Sequence, residues 1–227
     1  MTKNPLENCI MTKTLYEKSF EHDACGVGLV ASIDGVRTNK VLKKAIEAVV
    51  NLTHRGAVGG DKKTGDGAGV LTQLPLELFD EFLSEKDVNQ VTIGNFGVGM
   101  FFLPKKENIL HKKSLELINK IIKEHNLNLI SSREVPVDDS ALGEKALEAK
   151  PSIFQFFVTD NDFLNQDEFE RKLLLIRKTL ERESLKVKIN DFYCCSFSSR
   201  TIVYKGMLQA HQLDQFYLDL RNPNYKT

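Results

Sequence analysis

Cys25 heads the run Cys25-Gly26-Val27-Gly28-Leu29-Val30-Ala31-Ser32-Ile33, which reads as the buried first strand of a domain. The residues before it, Met1 to Ala24, are polar and charged, with neither a helical nor an alternating apolar period. Cleavage of the Ala24–Cys25 bond would leave one residue carrying both a thiol and a free α-amine. A cysteine thiol of pKa about 8.5 is a few per cent thiolate at neutral pH, and an α-amine titrating near about 7.7–8.0 is a suitable base for it. Such a residue is its own nucleophile and general base. Uncleaved, the same cysteine is a small buried side chain at the start of a strand.

Two further segments carry residues of chemical interest. His54-Arg55-Gly56 follows an apolar helical stretch, where basic side chains suit the carbonyl end of the helix and glycine suits its stop. Gly59 to Gly69 is a glycine-dense loop holding Asp61 and Asp66. Glycines let backbone approach a ligand closely, although Asp66-Gly67 is equally a turn signal. The loop lacks the Gly-Lys-Ser/Thr ending of a phosphate-binding loop and leads into a strand, and Cys25-Gly26-Val27-Gly28 lacks a third glycine at dinucleotide spacing. Nucleotide binding is not indicated by either.

Glu21-His22-Asp23-Ala24-Cys25-Gly26-Val27-Gly28, Leu52-Thr53-His54-Arg55-Gly56-Ala57 and Lys63-Thr64-Gly65-Asp66-Gly67-Ala68-Gly69-Val70 together resemble the start of the large subunit of glutamate synthase. That subunit begins with a class II glutamine amidotransferase domain. The likeness returns at Gly206-Met207-Leu208 and at Phe216-Tyr217-Leu218-Asp219-Leu220-Arg221. It implies an α+β fold of the N-terminal nucleophile hydrolase type, a four-layer αββα sandwich, incomplete at the C-terminal end. Residues 1–24 would be a removed propeptide, in which His22-Asp23 either bias self-cleavage or are ordinary residues of the extended segment, and 25–227 the N-terminal part of the domain.

By the same resemblance Cys25 attacks the side-chain amide of L-glutamine and forms a glutamyl thioester. Arg55 and Gly56 would lie beside the nucleophile, Asp66 would orient polar groups near the cleft, and His54 would stand nearby or serve only the helix end. The family's oxyanion donors lie in a His-Asn-Gly-Glu segment and its glutamine-carboxylate arginine in an Arg-Phe-Ser-Thr segment. Neither occurs in these 227 residues, so an incomplete glutamine pocket and exposed sheet edges are expected.

This region would need no cofactor. FMN and an iron–sulfur cluster would belong to synthase domains downstream, and the electron donor to a small subunit or ferredoxin. Two alternatives stand beside this reading. One is a non-catalytic regulatory or binding relative; the other is an amidotransferase of another class II family, less consistent with the combined His-Arg-Gly-Ala and Thr-Gly-Asp-Gly-Ala-Gly segments.

The rest of the chain must position these residues. Its length suits one domain with a real core. Thirty-one basic and 31 acidic residues cancel, so charge suggests neither nucleic acid nor an anionic membrane as a partner. No stretch approaches the roughly 20 apolar residues of a membrane span, and Asn4, Glu7, Lys13 and Glu17 interrupt any signal-peptide core; a cytoplasmic location is expected. Four cysteines without a CxxC pair argue against a metal site or disulfide framework. Adjacent Cys194 and Cys195 on a strand would point to opposite faces.

Helical periodicity predicts helices over 39–52, 106–125, 140–149 and 167–182, with another opening at Pro75 and reaching about Ser84. Apolar runs predict strands over 26–33, 70–74, 96–103, 128–135 and 152–159. A closing hairpin is predicted from 192–197 and 201–204 about Ser198-Ser199-Arg200. Helices and strands in equal measure, with no long linker, predict a layered α/β or α+β domain.

Overall fold

A computed structural model describes residues 25–84, 91, 94–160, 162 and 165–227. The predicted propeptide lies outside the described residues. Six strands form two antiparallel sheets. One has four strands, in the order β3 (Leu127–Glu134), β4 (Ser152–Asp160), β2 (Phe96–Leu103) and β5 (Tyr193–Ser198). The other pairs β1 (Ala68–Gln73) with β6 (Thr201–Gly206), Val70 opposite Tyr204 and Thr72 opposite Ile202.

The four-stranded sheet is buried on both faces, which is why β2 and β4 read as near-continuous apolar runs rather than alternating ones. Two helices cover one face. In α5 (Gln166–Lys186) the apolar residues Phe169, Leu173, Ile176 and Leu180 recur at helical spacing and are fully buried. Asn165 caps this helix by accepting from the Glu168 N–H, while the Glu168 carboxylate accepts from the Asn165 N–H. In α3 (Ile109–Glu124) Ile118, Ile121 and Ile122 face the same core, which Phe101, Leu103, Phe156 and Val158 fill from the sheet.

The opposite face meets the two-stranded sheet. Val98, Met100, Ile153 and Phe157 pack there with Val70, Ile202 and Tyr204, and with Leu42 and Ile46 of α1 (Asn39–Asn51). Cys194 belongs to the first core and Cys195 to the second, as alternation along a strand requires.

A polar cluster sits where the sheets meet the C-terminal segment. Arg133 of β3 donates to Gln155 of β4 at 2.8 Å and through both terminal nitrogens to buried Asp219. The Tyr204 hydroxyl donates to the same carboxylate at 2.8 Å, and the Gln155 amide donates to the Tyr204 oxygen at 2.9 Å. The last residues then return to α1. Thr38 and Thr227 exchange backbone hydrogen bonds at 3.0 and 3.5 Å, and the Asn39 amide donates to the carbonyls of Asn222 and Tyr225.

Two expectations are corrected. Residues 26–33 form no strand with any described residue, and Val27 and Leu29 are 87% and 92% exposed. Apolar character does not supply the hydrogen-bonding partner a strand needs; this run instead lies against the end of α1. The predicted hairpin of β5 and β6 is likewise absent, because β5 pairs with β2 and β6 with β1. The Glu170 carboxylate of α5 accepts from the hydroxyls of Ser198 and Ser199 and from the Ser199 N–H, and at this anchored turn the chain passes from one sheet to the other.

Smaller differences involve helices. The one after Pro75 is the single turn α2 (Leu76–Phe79). The predicted helix over 140–149 is a 3-10 turn at Asp139–Ala141 followed, past Leu142 and Gly143, by α4 (Glu144–Ala149).

Candidate active site

Cys25 is exposed, and the two glycines after it are held close to α1. A Cβ added to Gly26 would stand 3.2 Å from both Leu52 Cδ2 and Arg55 Cγ, and one on Gly28 would stand 3.6 Å from Ala48 Cβ. At Gly26 the lack of a Cβ eases the close approach to Leu52 and Arg55, whereas a Cβ at Gly28 would make only ordinary contact. The segment that starts with the thiol therefore touches the stem of Arg55.

Arg55 is positioned by a 3-10 turn, Thr53–Arg55, that tightens the end of α1. Its N–H donates to the Leu52 carbonyl at 2.8 Å, and the Gly56 N–H donates to the Thr53 carbonyl at 3.0 Å. Gly56 is extended, with φ −95°, so it closes the turn without the left-handed conformation expected of a helix-ending glycine. His54 serves the helix: its Nδ1 meets the Asn51 carbonyl at 3.2 Å, leaving it the structural role.

Asp66 arrives from the glycine-dense loop. A Cβ on Gly56 would stand 3.3 Å from Asp66 Oδ1, and the Asp66 N–H donates to the Ala57 carbonyl at 3.2 Å. An antiparallel bridge between Val58 and Gly65 and a 2.7 Å bond from the Gly59 N–H to the Thr64 carbonyl fold the loop back on itself. Arg55 thus lies beside Gly26, the residue after Cys25, and Gly56 lies beside Asp66. Asp61, the loop's other carboxylate, accepts from the Thr64 hydroxyl and from the N–H groups of Thr64 and Lys63. Those bonds, the Thr64 hydroxyl first, hold its pKa well below the usual carboxylate range. Asp61 is the structural carboxylate of the loop.

Sequence reasoning missed the groups that support this loop. The Gln209 side chain donates to the Lys62 carbonyl at 3.0 Å and the buried Gln212 side chain to the Lys63 carbonyl at 2.9 Å. On the other side, a Cβ at Gly143 would stand only 2.6 Å from Thr64 N and Oγ1. The spacing of Gln209 and Gln212 is that of a capping pair, which was the one available signal.

A profile of the class-II glutamine amidotransferases matches residues 25–227, starting at Cys25. The chain belongs to this family. Among curated amidotransferase relatives, it is 38% identical over 208 residues to the ferredoxin-dependent glutamate synthase of Oryza sativa subsp. japonica, 91% of this chain and 13% of the relative. With the glutamate synthase [NADPH] large chain of Bacillus subtilis it shares 40% identity over 209 residues, 92% of this chain and 14% of the relative. The large chain from Azospirillum brasilense is 36% identical over 218 residues, 96% and 14% respectively. The chain thus spans about one seventh of the length of the glutamate synthases it matches.

This amidotransferase domain is α+β with antiparallel sheets. Among the described residues no group of three or more His, Cys, Asp or Glu could hold a metal ion, and no helix is long and apolar enough to cross a membrane.

Proposed function

We propose that the chain supplies the glutamine-hydrolysing centre of a glutamate synthase, with Cys25 as an N-terminal nucleophile freed by removal of residues 1–24. The observation that carries this reading is the exposed Cys25 at the first residue of the family match, with the glycine after it close to Arg55 and the next residue, Gly56, close to Asp66.

The Cys25 sulfur attacks the side-chain amide carbon of L-glutamine. As the carbon–nitrogen bond breaks, the protonated α-amine passes its proton to the leaving ammonia. Water then attacks the thioester carbonyl, the carbon–sulfur bond breaks, and glutamate leaves with the thiol restored. Arg55 and Gly56 order the backbone flanking the nucleophile, and Asp66 orients polar groups at its edge. Residues outside this chain supply the oxyanion donors, which contribute a few kcal/mol each to such steps. They also complete the αββα sandwich of the N-terminal nucleophile hydrolases.

The ammonia feeds downstream synthase domains in glutamate biosynthesis. FMN and an iron–sulfur cluster belong to those domains. The described cysteines do not fit a cluster, because Cys194 and Cys195 are buried in separate cores and Cys25 stands apart. The names of the relatives point to either ferredoxin or NADPH as the source of electrons. We place the protein in the cytoplasm, in keeping with its balanced charge and the polar residues spread through positions 1–24.

The test is the intact mass of the 227-residue chain before and after exposure to 6-diazo-5-oxo-norleucine, a glutamine mimic. The expected mass is that of residues 25–227; an adduct on Cys25 as well would show that the glutamine pocket forms within this chain. A mass that retains residues 1–24 and takes no adduct would overturn the reading for this chain.

A further inference from the structure

We propose that Gln209 and Gln212, two carboxamides remote in sequence from Cys25, are positioning residues for its centre. They would do so by locking residues 59–67 in the shape that sets Asp66 against Gly56. The proposal rests on the glutaminase reading above and adds to it a specific support.

The loop needs such support. Lys62 at its tip has φ 58°, a left-handed conformation that costs a residue with a side chain free energy unless its surroundings enforce it. The carbonyls of Lys62 and Lys63 are the two groups that the carboxamides hold. Gln212 is buried, and both ends of its amide are used. Its Nε2 donates to Lys63 while its Oε1 accepts from the Gln209 N–H at 2.8 Å. The second glutamine is thereby fixed by the first.

Backbone fit points the same way. Gly65 lies so close to Leu208 and Gln209 that any Cβ there would overlap their backbone, and Gly143 packs as tightly on Thr64 from the other side. The loop is pressed between two surfaces and pinned by two amides. From its far end a short chain of contacts leads to the thiol: Asp66 to Ala57 and Gly56, Gly56 to Arg55, Arg55 to Gly26, next to Cys25.

Gln212→Met keeps the length and most of the volume of the side chain and removes both hydrogen bonds. The test compares Gln212→Met and Gln209→Ala/Gln212→Met with the wild type in a protein extended downstream to include the oxyanion donors. One readout is amide hydrogen exchange at Gly59 and Asp66, whose N–H groups donate to the Thr64 and Ala57 carbonyls. The other is the rate of Cys25 modification by 6-diazo-5-oxo-norleucine divided by its rate with iodoacetamide, a ratio that a general change in thiol reactivity would not move.

Exchange at Gly59 and Asp66 should rise about tenfold in the double variant, while amides of β2 and β4 keep their protection, and the ratio should fall by a similar factor. Unchanged exchange at both amides overturns the proposal, as does faster exchange with an unchanged ratio. An extended wild-type protein that reacts with iodoacetamide and not with the diazo ketone overturns the glutaminase reading instead. In that case the exchange result still decides whether the two glutamines hold the loop.

Discussion

Arg133 on β3 and Asp219 on the turn after α6 (Leu213–Phe216) form a two-pronged ion pair across 86 residues of sequence, with the Asp219 side chain 3% exposed. The guanidinium also lies 3.8 Å over the ring centre of Phe82. Removing one partner of such a pair leaves a desolvated charge, whereas replacing both with apolar groups of similar size removes the problem. Asp219→Asn should therefore lower unfolding stability by about 3 kcal/mol, measured by urea denaturation. Arg133→Met/Asp219→Leu should cost less than the sum of the single changes. Additive losses would show that the two side chains do not act as a pair.

Thiol chemistry should be confined to one of the three described cysteines. Burial pushes the Cys195 thiol up to about 11 and the Cys194 thiol higher still, whereas Cys25 is exposed. At pH 8, iodoacetamide should modify Cys25 in the native protein, and Cys194 and Cys195 only after denaturation. Peptide mapping of the alkylated protein checks this, and native labelling of Cys194 would contradict the packing around β5.

The loop carboxylate gives a pH dependence of definite sign. Hydrogen bonds hold the pKa of Asp61 below its unfolded value, so its contribution is present above about pH 4 and fades as the pH falls through the folded value. The wild type should have a higher melting temperature than Asp61→Asn at pH 6, with the gap narrowing toward pH 3. A gap of equal size at both pH values would remove Asp61 as the ionised anchor of the loop.

The exposed apolar residues near the start of the described chain should matter for association rather than folding. Leu29 is 92% exposed, and substitutions at such positions change stability by no more than about 0.5 kcal/mol. Leu29→Lys should leave the denaturation midpoint in place while reducing light scattering at high protein concentration. A large shift in the midpoint would mean that Leu29 is buried in solution.

Much of this was legible from local pattern. The helical spacing of Phe169, Leu173, Ile176 and Leu180, the apolar runs of β2 and β4, and the opposed faces of Cys194 and Cys195 are properties of nearest neighbours, and a sequence displays them. Arg55, Gly56 and Asp66 came from family likeness, and the contact of Gly56 with Asp66 is one that no local pattern displays. Strand pairing was less accessible. Ser198-Ser199-Arg200 looks like a hairpin turn, and only the partners of β5 and β6, β2 and β1, reveal that it joins two sheets. The same holds for Arg133 with Asp219 and for Gln212 with Lys63, contacts whose members lie 86 and 149 residues apart. No local propensity encodes them.

Along residues 25–33 Val30 and Ser32 are half-buried and the other seven residues are exposed, Cys25 first among them. The thiol therefore opens an exposed stretch in which Val27, Leu29 and Ile33 are large apolar side chains. A surface that covers Val27 and reaches the residue at the head of the stretch would gain on the order of 25 cal/mol for each Å² of apolar area removed from water and would shield the sulfur at the same time.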